Sequence, residues 1–429
     1  MHRKEFIVNI LDQMKDLDYA LLKMEVAKLD DIAPHSDVDI YFPSKDLSFV
    51  ETFVSSYKNV SKYKVRRKTF MTTYFIYFED LSFLSLDFIH HFKRKYTEIL
   101  TQENKIKEIV RSKEGYKKAA IHWDFEYIFL FYLLNGSDIP ERYIDYLLEH
   151  NEGEQKRVMS HLNSKYDMNF IHVNDLRAIK EFRIKVDKLI KRNQKNSGLM
   201  YVKHIIAYVY DTLFNVKRGV TITFSGVDGA GKTTMLEQVK VLMKEKYREP
   251  FVVIRHRPSI TPILSAYKYG KKAAEKKTTE RLPRTGGNKS VISSLGRFAY
   301  YYLDYLFGQF IVYFKYNFRG ITVLYDRYYF DFINDGRRSN IQLSPKLIKP
   351  LYGFLLKPDL NFYLYAEPEV ILARKKELEA EDIRELNNKY IPLFQQYEKR
   401  YKNSKYKLIE NIDLQETVAV IEKSYQSLV

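Results

Sequence analysis

The sequence predicts a multidomain chain: an α+β domain, then a helical connector, then an α/β domain built on a doubly wound parallel sheet. Three observations carry that prediction. At 429 residues the chain exceeds one ordinary core, since domains usually hold about 100–200 residues. From Gly219 onward short apolar runs alternate with helical patterns, as in a parallel sheet covered on both faces. Within that alternation a glycine-rich loop leaves the first strand and opens a helix, an arrangement whose backbone N–H groups and helix dipole attract an anion.

Taken in order, residues 1–96 start with charges at helical intervals and continue through β-branched and aromatic runs at 38–42, 72–78 and 83–88. Such runs predict strands among helices, hence α+β. Residues 97–216 carry long apolar and charged patterns, among them 127–134, 144–148, 179–190 and 202–214, with few strand signals. They predict a helical connector. Residues 217–429 predict strands at 220–224, 251–255, 321–325, 360–365 and 406–409, and a helix over 232–246. The segment 261–294 interrupts this rhythm with clustered Lys, Arg, Gly and Thr and predicts a mobile basic loop.

Hydrophobic residues make up 45% of the chain, enough apolar material to exclude a largely disordered protein. The formal charge of +17 points to the handling of anions, whether nucleotides, nucleic acid or an acidic membrane surface. Helical lysine runs such as 185–195 read first as solvated faces, so charge alone implies no nucleic-acid binding. There is no cysteine, which excludes disulfides, thiolate metal sites and cysteine nucleophiles. The N-terminal stretch lacks the pattern of a signal peptide. The most apolar stretch, 300–318, contains Asp304, Gln309 and Lys315, which argues for a buried or amphipathic helix over a bilayer span. A cytoplasmic protein is expected, and a homodimer is left open.

The loop reads Gly226-Val-Asp228-Gly229-Ala-Gly231-Lys232-Thr233-Thr234. It fits G-x-x-x-x-G-K-[ST] between a strand and a helix, the context in which that motif cradles phosphates. The glycines let the backbone curl around phosphate oxygens. Lys232 then reaches the β- and γ-phosphates and the Thr233 hydroxyl ligates Mg²⁺, which implies ATP as the nucleotide. About a hundred residues on, Asp326-Arg327-Tyr328 follows a second apolar strand, at the end of the sheet where such folds keep their ligands.

Together these motifs resemble the thymidylate kinase family of P-loop kinases over residues 219–429. The resemblance implies that Asp326 sits beside the metal and Arg327 beside the acceptor phosphate. The later run Pro368-Glu-Val-Ile-Leu-Ala-Arg374-Lys375 is similar to the lid entry of those kinases, which makes Arg374 the candidate lid arginine; the alternative is an exposed helix arginine. The elements that read thymine in that family are replaced here by His256-Arg257-Pro258 and by Tyr329-Phe-Asp331-Phe-Ile-Asn-Asp335. The segment 326–375 instead resembles kinase-like proteins of bacterial polysaccharide gene clusters. Arg257, Arg297, Arg337 and Arg338 are candidates to hold a small anionic acceptor, because arginine forks match phosphate.

Near the N-terminus Asp37 and Asp39 fall on one face of a strand, and Asp87 lies on another apolar strand. Three such acids are the ligand set of two divalent ions that clamp a triphosphate. The pattern resembles the nucleotidyltransferase family over residues 1–96, without the Gly-Ser pair that precedes the acids there: this chain has Leu21-Leu22-Lys23-Met24. Two readings stay open, an active transferase or a degenerate domain that binds nucleotide or supports the kinase. His90 and His91 match no ligand spacing and are expected to be structural. The expected function is transfer of the ATP γ-phosphate to a small-molecule phosphate acceptor. Its alternatives are an ATP-binding regulatory or assembly protein, and a nucleotidyltransferase with an accessory kinase domain.

Overall fold

The structure, a computed structural model, describes residues 2–23, 29, 32–33, 36–100, 106–215, 218–258 and 290–428. The chain divides into two compact units, Met1–Val216 and Lys217–Val429. In the first, the described residues form nine strands: β1 Ala20–Leu22, β2 Val38–Tyr41, β3 Val60–Arg67, β4 Met71–Phe78, β5 Phe83–Ile89, β6 Lys93–Arg94, β7 Thr97–Glu98, β8 Ile109–Arg111 and β9 Lys117–Ala119. Seven of them make a mixed sheet in the order β3-β4-β5-β2-β1-β9-β8, and β6 pairs with β7. β2 runs parallel to β5 and β1 parallel to β9, and the other neighbours are antiparallel.

Among the described residues of this unit lie also the α-helices α1 His2–Gln13, α2 Ser48–Ser56, α3 Ile121–Asn135, α4 Glu141–Leu148, α5 Glu152–Tyr166, α6 Arg183–Lys191 and α7 Gly198–Phe214. The segment 97–216, expected to be a helical connector, differs from that reading in two respects. It supplies β8 and β9 to the sheet. Its helices also share one core with the sheet: Phe6 and Ile10 of α1, Ile40, Leu86 and Phe88 of the strands, and Phe125, Ile128 and Leu162 of α3 and α5 belong to a single buried cluster. Three-residue strands such as Lys117-Lys118-Ala119 leave no periodic signal, because the ladder partner and not the side chains decides them. β3, with the sequence VSKYKVRR, is charged because it lies at the sheet edge, where charge discourages pairing with other chains.

Among its described residues the second unit holds five parallel strands, β10 Thr221–Gly226, β11 Phe251–Arg255, β12 Thr322–Asp326, β13 Leu360–Tyr365 and β14 Lys405–Glu410, in the order β11-β12-β10-β13-β14. Ile222, Phe224, Leu324, Phe362 and Leu364 are fully buried, as strands covered on both faces require. Around them lie α8 Lys232–Val241, α9 Val291–Lys315, α10 Phe330–Asn334, α11 Pro345–Leu351, α12 Pro368–Arg374, α13 Ala380–Arg400 and α14 Leu414–Leu428. The helix expected over 232–246 continues past α8 as a wider turn, Leu242–Lys246. The expected basic loop lies outside the described residues except for its end, which is the start of α9. α9 also takes up most of the apolar 300–318 stretch, with Asp304 and Gln309 buried. Among the described residues no helix is long and apolar enough to cross a membrane.

Candidate phosphate-binding site

Parallel pairing sets the carboxyl ends of all five strands of the second unit side by side. β10 is central, and the loop leaving it closes on α8. Gly226 and Gly231 are required there. A Cβ on Gly226 would run into the carbonyl oxygen of Leu364 on neighbouring β13, and one on Gly231, at φ +87°, would strike the side-chain amide of Asn411. Asn411 is a brace that the sequence did not reveal. Its Nδ2 donates to the Ala230 carbonyl at 2.8 Å, and its Oδ1 accepts from Thr417 Oγ1 at 3.0 Å.

Lys232 begins α8 and is buried, its Nζ donating to the carbonyl of Val227 at 2.7 Å. Burial, reinforced by the charge of Arg327, pushes its pKa down to about 7, against the pull of Asp228. Thr233 and Thr234 follow it with exposed side chains.

Asp326 ends β12, paired in register with Phe224 of β10 and Arg255 of β11. Arg327 comes next at φ +73°, uncommon for a residue other than glycine, and is held there by its N–H, which donates to the Phe224 carbonyl at 2.9 Å. Its guanidinium reaches Asp228 Oδ1 at 2.6 Å, Asp331 Oδ2 at 3.0 Å and the Gly226 carbonyl at 3.3 Å. Arg338 grips the other oxygen of Asp228. Asp331, on α10, is fully buried and also accepts from the Tyr390 hydroxyl at 2.7 Å.

The charges in this network explain the titration of its members. Burial alone would raise Asp228, but Arg327, Lys232 and Arg338 outweigh it and hold the carboxyl down to about 2. Burial of Asp331 is likewise outweighed, chiefly by Arg327, and its pKa falls. Desolvation works against the Arg327 charge, yet Asp331 and Asp228 raise its pKa above the ordinary arginine value. Among the described residues this network joins three cations, Lys232, Arg327 and Arg338, to two carboxylates, Asp228 and Asp331. An anion at the loop would oppose the burial that lowers Lys232 and so favour its charged form.

His256 follows β11 with its ring against Phe332 at 4.9 Å, and burial pushes it down to about 4, so it is neutral. Arg257 is buried in an ion pair with Asp304 of α9 and lies over the Tyr301 ring at 4.9 Å. Arg337 is exposed and Arg297 half-buried. Arg374 does not join the network: its guanidinium donates to the carbonyls of Asn411 and Ile412 at 2.8 and 3.1 Å. A sequence signal that was present but unused is the short spacing of Arg327 and Asp331, four residues apart across the turn into α10; Asp304 was noted in an apolar helix but not as the partner of Arg257.

In the first unit the three predicted acids do converge. The parallel register of β2 and β5 sets Asp39 opposite Asp87, and Asp37 precedes β2. Burial, then the charges of Asp39 and Asp37, push Asp87 up to about 7. Lys23, however, places its ammonium 2.6 Å from Asp39 Oδ2. Among the described residues no group of three or more His, Cys, Asp or Glu side chains is disposed to hold a metal ion. The donors as arranged do not fit a pair of divalent ions. His90 is a satisfied core residue, with Nδ1 2.9 Å from the Phe42 carbonyl and Nε2 3.1 Å from Thr72 Oγ1.

These features define a mixed α/β protein of two units whose second unit carries a parallel sheet of the P-loop type. No protein-family model matches the chain, and no curated protein matches it. Among solved structures it is similar to a thymidylate kinase from Candida albicans, at 16% identity and a TM-score of 0.32, over 49% of this chain and 92% of that one.

Proposed function

We propose that the chain is an ATP-dependent phosphotransferase that passes the γ-phosphoryl group to a small acceptor, either a nucleoside monophosphate or a sugar-derived anion. The observation that carries this reading is the network of three cations and two carboxylates built on the loop between β10 and α8. Phosphoryl transfer asks little covalent work of a protein and depends on positioning and on positive charge around the transferring group. In this reading the loop amides and Lys232 hold the donor phosphates. Lys232 exchanges its bond to the Val227 carbonyl for a phosphate oxygen. Arg327, fixed by Asp228 and Asp331, faces the transferring group, so that its position needs no reorganisation as charge develops.

Thr233, exposed at the start of α8, and Asp326, half-buried at the end of β12, are the residues that would hold Mg²⁺. That ion supplies neutralising charge to the phosphates. The acceptor oxygen attacks phosphorus, the bond to the β-phosphate oxygen breaks, and ADP leaves with the electron pair. Arg297 and Arg337 are the acceptor-side candidates. Arg257, neutralised by Asp304, serves the shape of that side more than its charge. Arg374, bound to main-chain carbonyls after β14, is assigned to the donor side. A cytoplasmic location goes with the use of ATP.

The test is ATP-to-ADP turnover by the full chain against a panel of nucleoside monophosphates and phosphorylated sugars. Acceptor-stimulated turnover that Lys232→Ala abolishes is the expected result. Tight nucleotide binding with no turnover on any acceptor would overturn the reading in favour of a nucleotide-binding regulatory protein.

A further inference from the structure

We propose that Lys23 is a built-in counter-cation of the acid site in the first unit, seated where a divalent ion would have to meet Asp39, so that this site does not load the metal pair that nucleotidyl transfer requires. The inference is independent of the phosphotransferase reading, which concerns the other unit.

The lysine is placed by the backbone. Antiparallel pairing of β1 with β2 sets Leu22 opposite Asp39, so Lys23 is the next residue along. Its main-chain N–H donates to Asp124 Oδ1 at 2.6 Å, and its φ of +51° lies in the left-handed region, which turns the chain out of the strand at that residue. From there the side chain reaches Asp39 Oδ2, with 14% of the lysine side chain and 8% of the aspartate side chain exposed. The ammonium also stands 4.5 Å from the centre of the Phe131 ring and 6.0 Å from that of Tyr127, both on α3. A cation held between a carboxylate and aromatic faces, and tethered at its own backbone, is not a surface lysine free to swing aside.

The chemistry follows from what the ammonium occupies. A magnesium ion binds carboxylate oxygens at about 2.0–2.1 Å and demands near-octahedral geometry. An ion on Asp39 would share a carboxylate with the lysine and meet its positive charge in a site from which most water is excluded. The ammonium brings one charge where a divalent ion would bring two, and it offers no open position to a triphosphate. Asp87 sits across from the same pair in register, so the acid best placed to complete a metal site faces a carboxylate whose charge is already matched.

The test is Mn²⁺ binding to the full-length chain without nucleotide, read from the electron paramagnetic resonance signal of the free ion, with circular dichroism to verify folding. Wild type and Asp39→Asn are expected to bind Mn²⁺ alike. Lys23→Met, which keeps the volume and removes the charge, is expected to gain one saturable site, at least about tenfold tighter than any in wild type, and Lys23→Met with Asp39→Asn to lose it again. A folded Lys23→Met that gains no site overturns the proposal, and so does wild-type binding that Asp39→Asn weakens about tenfold or more. Should the Lys23 or Asp39 variants not fold, Asp87→Asn decides, because it leaves the Lys23–Asp39 pair in place. Binding equal to wild type supports the proposal, and a loss of about tenfold or more refutes it.

Discussion

Replacing Asp331 with asparagine tests how the charge network around Lys232 and Arg327 is balanced. Asp331 is fully buried, and its oxygens accept from Arg327 at 3.0 Å and from the Tyr390 hydroxyl at 2.7 Å. Asparagine keeps the shape. If its NH₂ faced Arg327, donor would meet donor, so the amide should turn its oxygen to Arg327 and its NH₂ to Tyr390, whose hydroxyl can rotate to accept. The hydrogen bonds then survive and only the charge is lost. Breaking a buried ion pair costs about 3–5 kcal/mol. Because Asp228 remains 2.6 Å from the same guanidinium, we expect the lower end, about 3 kcal/mol. A single unfolding transition is not a safe readout for a chain of two units, so the assay is amide hydrogen exchange on peptides covering β10 and β12, where local opening reports its own free energy. Exchange there should accelerate roughly a hundredfold. Pyrophosphate should restore more protection to the variant than to wild type, since it supplies the missing negative charge. A change below about 1 kcal/mol, or equal protection of both proteins by pyrophosphate, would refute this account of the network.

Three further outcomes follow from the same geometry. Lys232, down near 7 in the free protein, should regain its ordinary value when a phosphate faces it. At pH 8 nucleotide binding should therefore take up close to one proton, and affinity should fall by up to about tenfold per unit as pH rises beyond 7. Calorimetry in buffers of different ionisation enthalpy measures that uptake, which Lys232→Met should eliminate. Gly231→Ala forces a side chain into φ +87° and against Asn411, and should weaken nucleotide binding by about 1–3 kcal/mol of strain. Adding Asn411→Ala should relieve the collision but not the backbone strain, so equilibrium dialysis should find partial recovery. Asp304→Ala leaves Arg257 buried without its carboxylate and should destabilise the second unit by about 3–5 kcal/mol. Asp304→Ala with Arg257→Leu should be milder in amide hydrogen exchange on peptides covering α9, and equal losses would mean that the pair carries little of that energy.

The second unit was legible because its strands are continuous apolar runs bounded by loops, and burial on both faces of a parallel sheet dictates such runs. The strands at 251–255 and 360–365 were readable to the residue, and the other three lie within one or two residues of their predicted ends. The first unit was less so. β1, β8 and β9 are three-residue strands whose place depends on their neighbours in the ladder, and no local pattern encodes a neighbour. α3 carries Asp124 and Glu126 within its buried face, charges that look like a solvated stripe until Lys165, His161 and Tyr166 are seen to converge on Glu126 at 2.9, 2.6 and 2.6 Å. In the phosphate site Gly226, Lys232, Asp326 and Arg327 were visible as a motif, whereas Asp331 and Asn411 were not assigned roles. Their parts depend on which groups the fold brings to them, the Tyr390 hydroxyl across 59 residues and the Ala230 carbonyl across 181.

What sequence motifs leave out, in both units, is the counter-charge. Asp37, Asp39 and Asp87 read as ligands awaiting cations, and Lys232, Arg327 and Arg338 as cations awaiting an anion. The fold answers the two cases differently. In the acid site a lysine from the adjoining strand end is already 2.6 Å from Asp39, so a metal there must compete with a charge that carries no translational entropy to lose. In the phosphate site Asp228 and Asp331 match two of the three cations. That holds the arginines rigid beside a loop whose amides and helix dipole favour an anion, which would restore the charge that burial weakens on Lys232. A motif conveys which groups touch a ligand. Whether a ligand can enter depends also on what the fold has already placed beside those groups: at Asp39 a tethered ammonium stands in the way, whereas at the loop Lys232 is held by one bond to the Val227 carbonyl that a phosphate oxygen can replace.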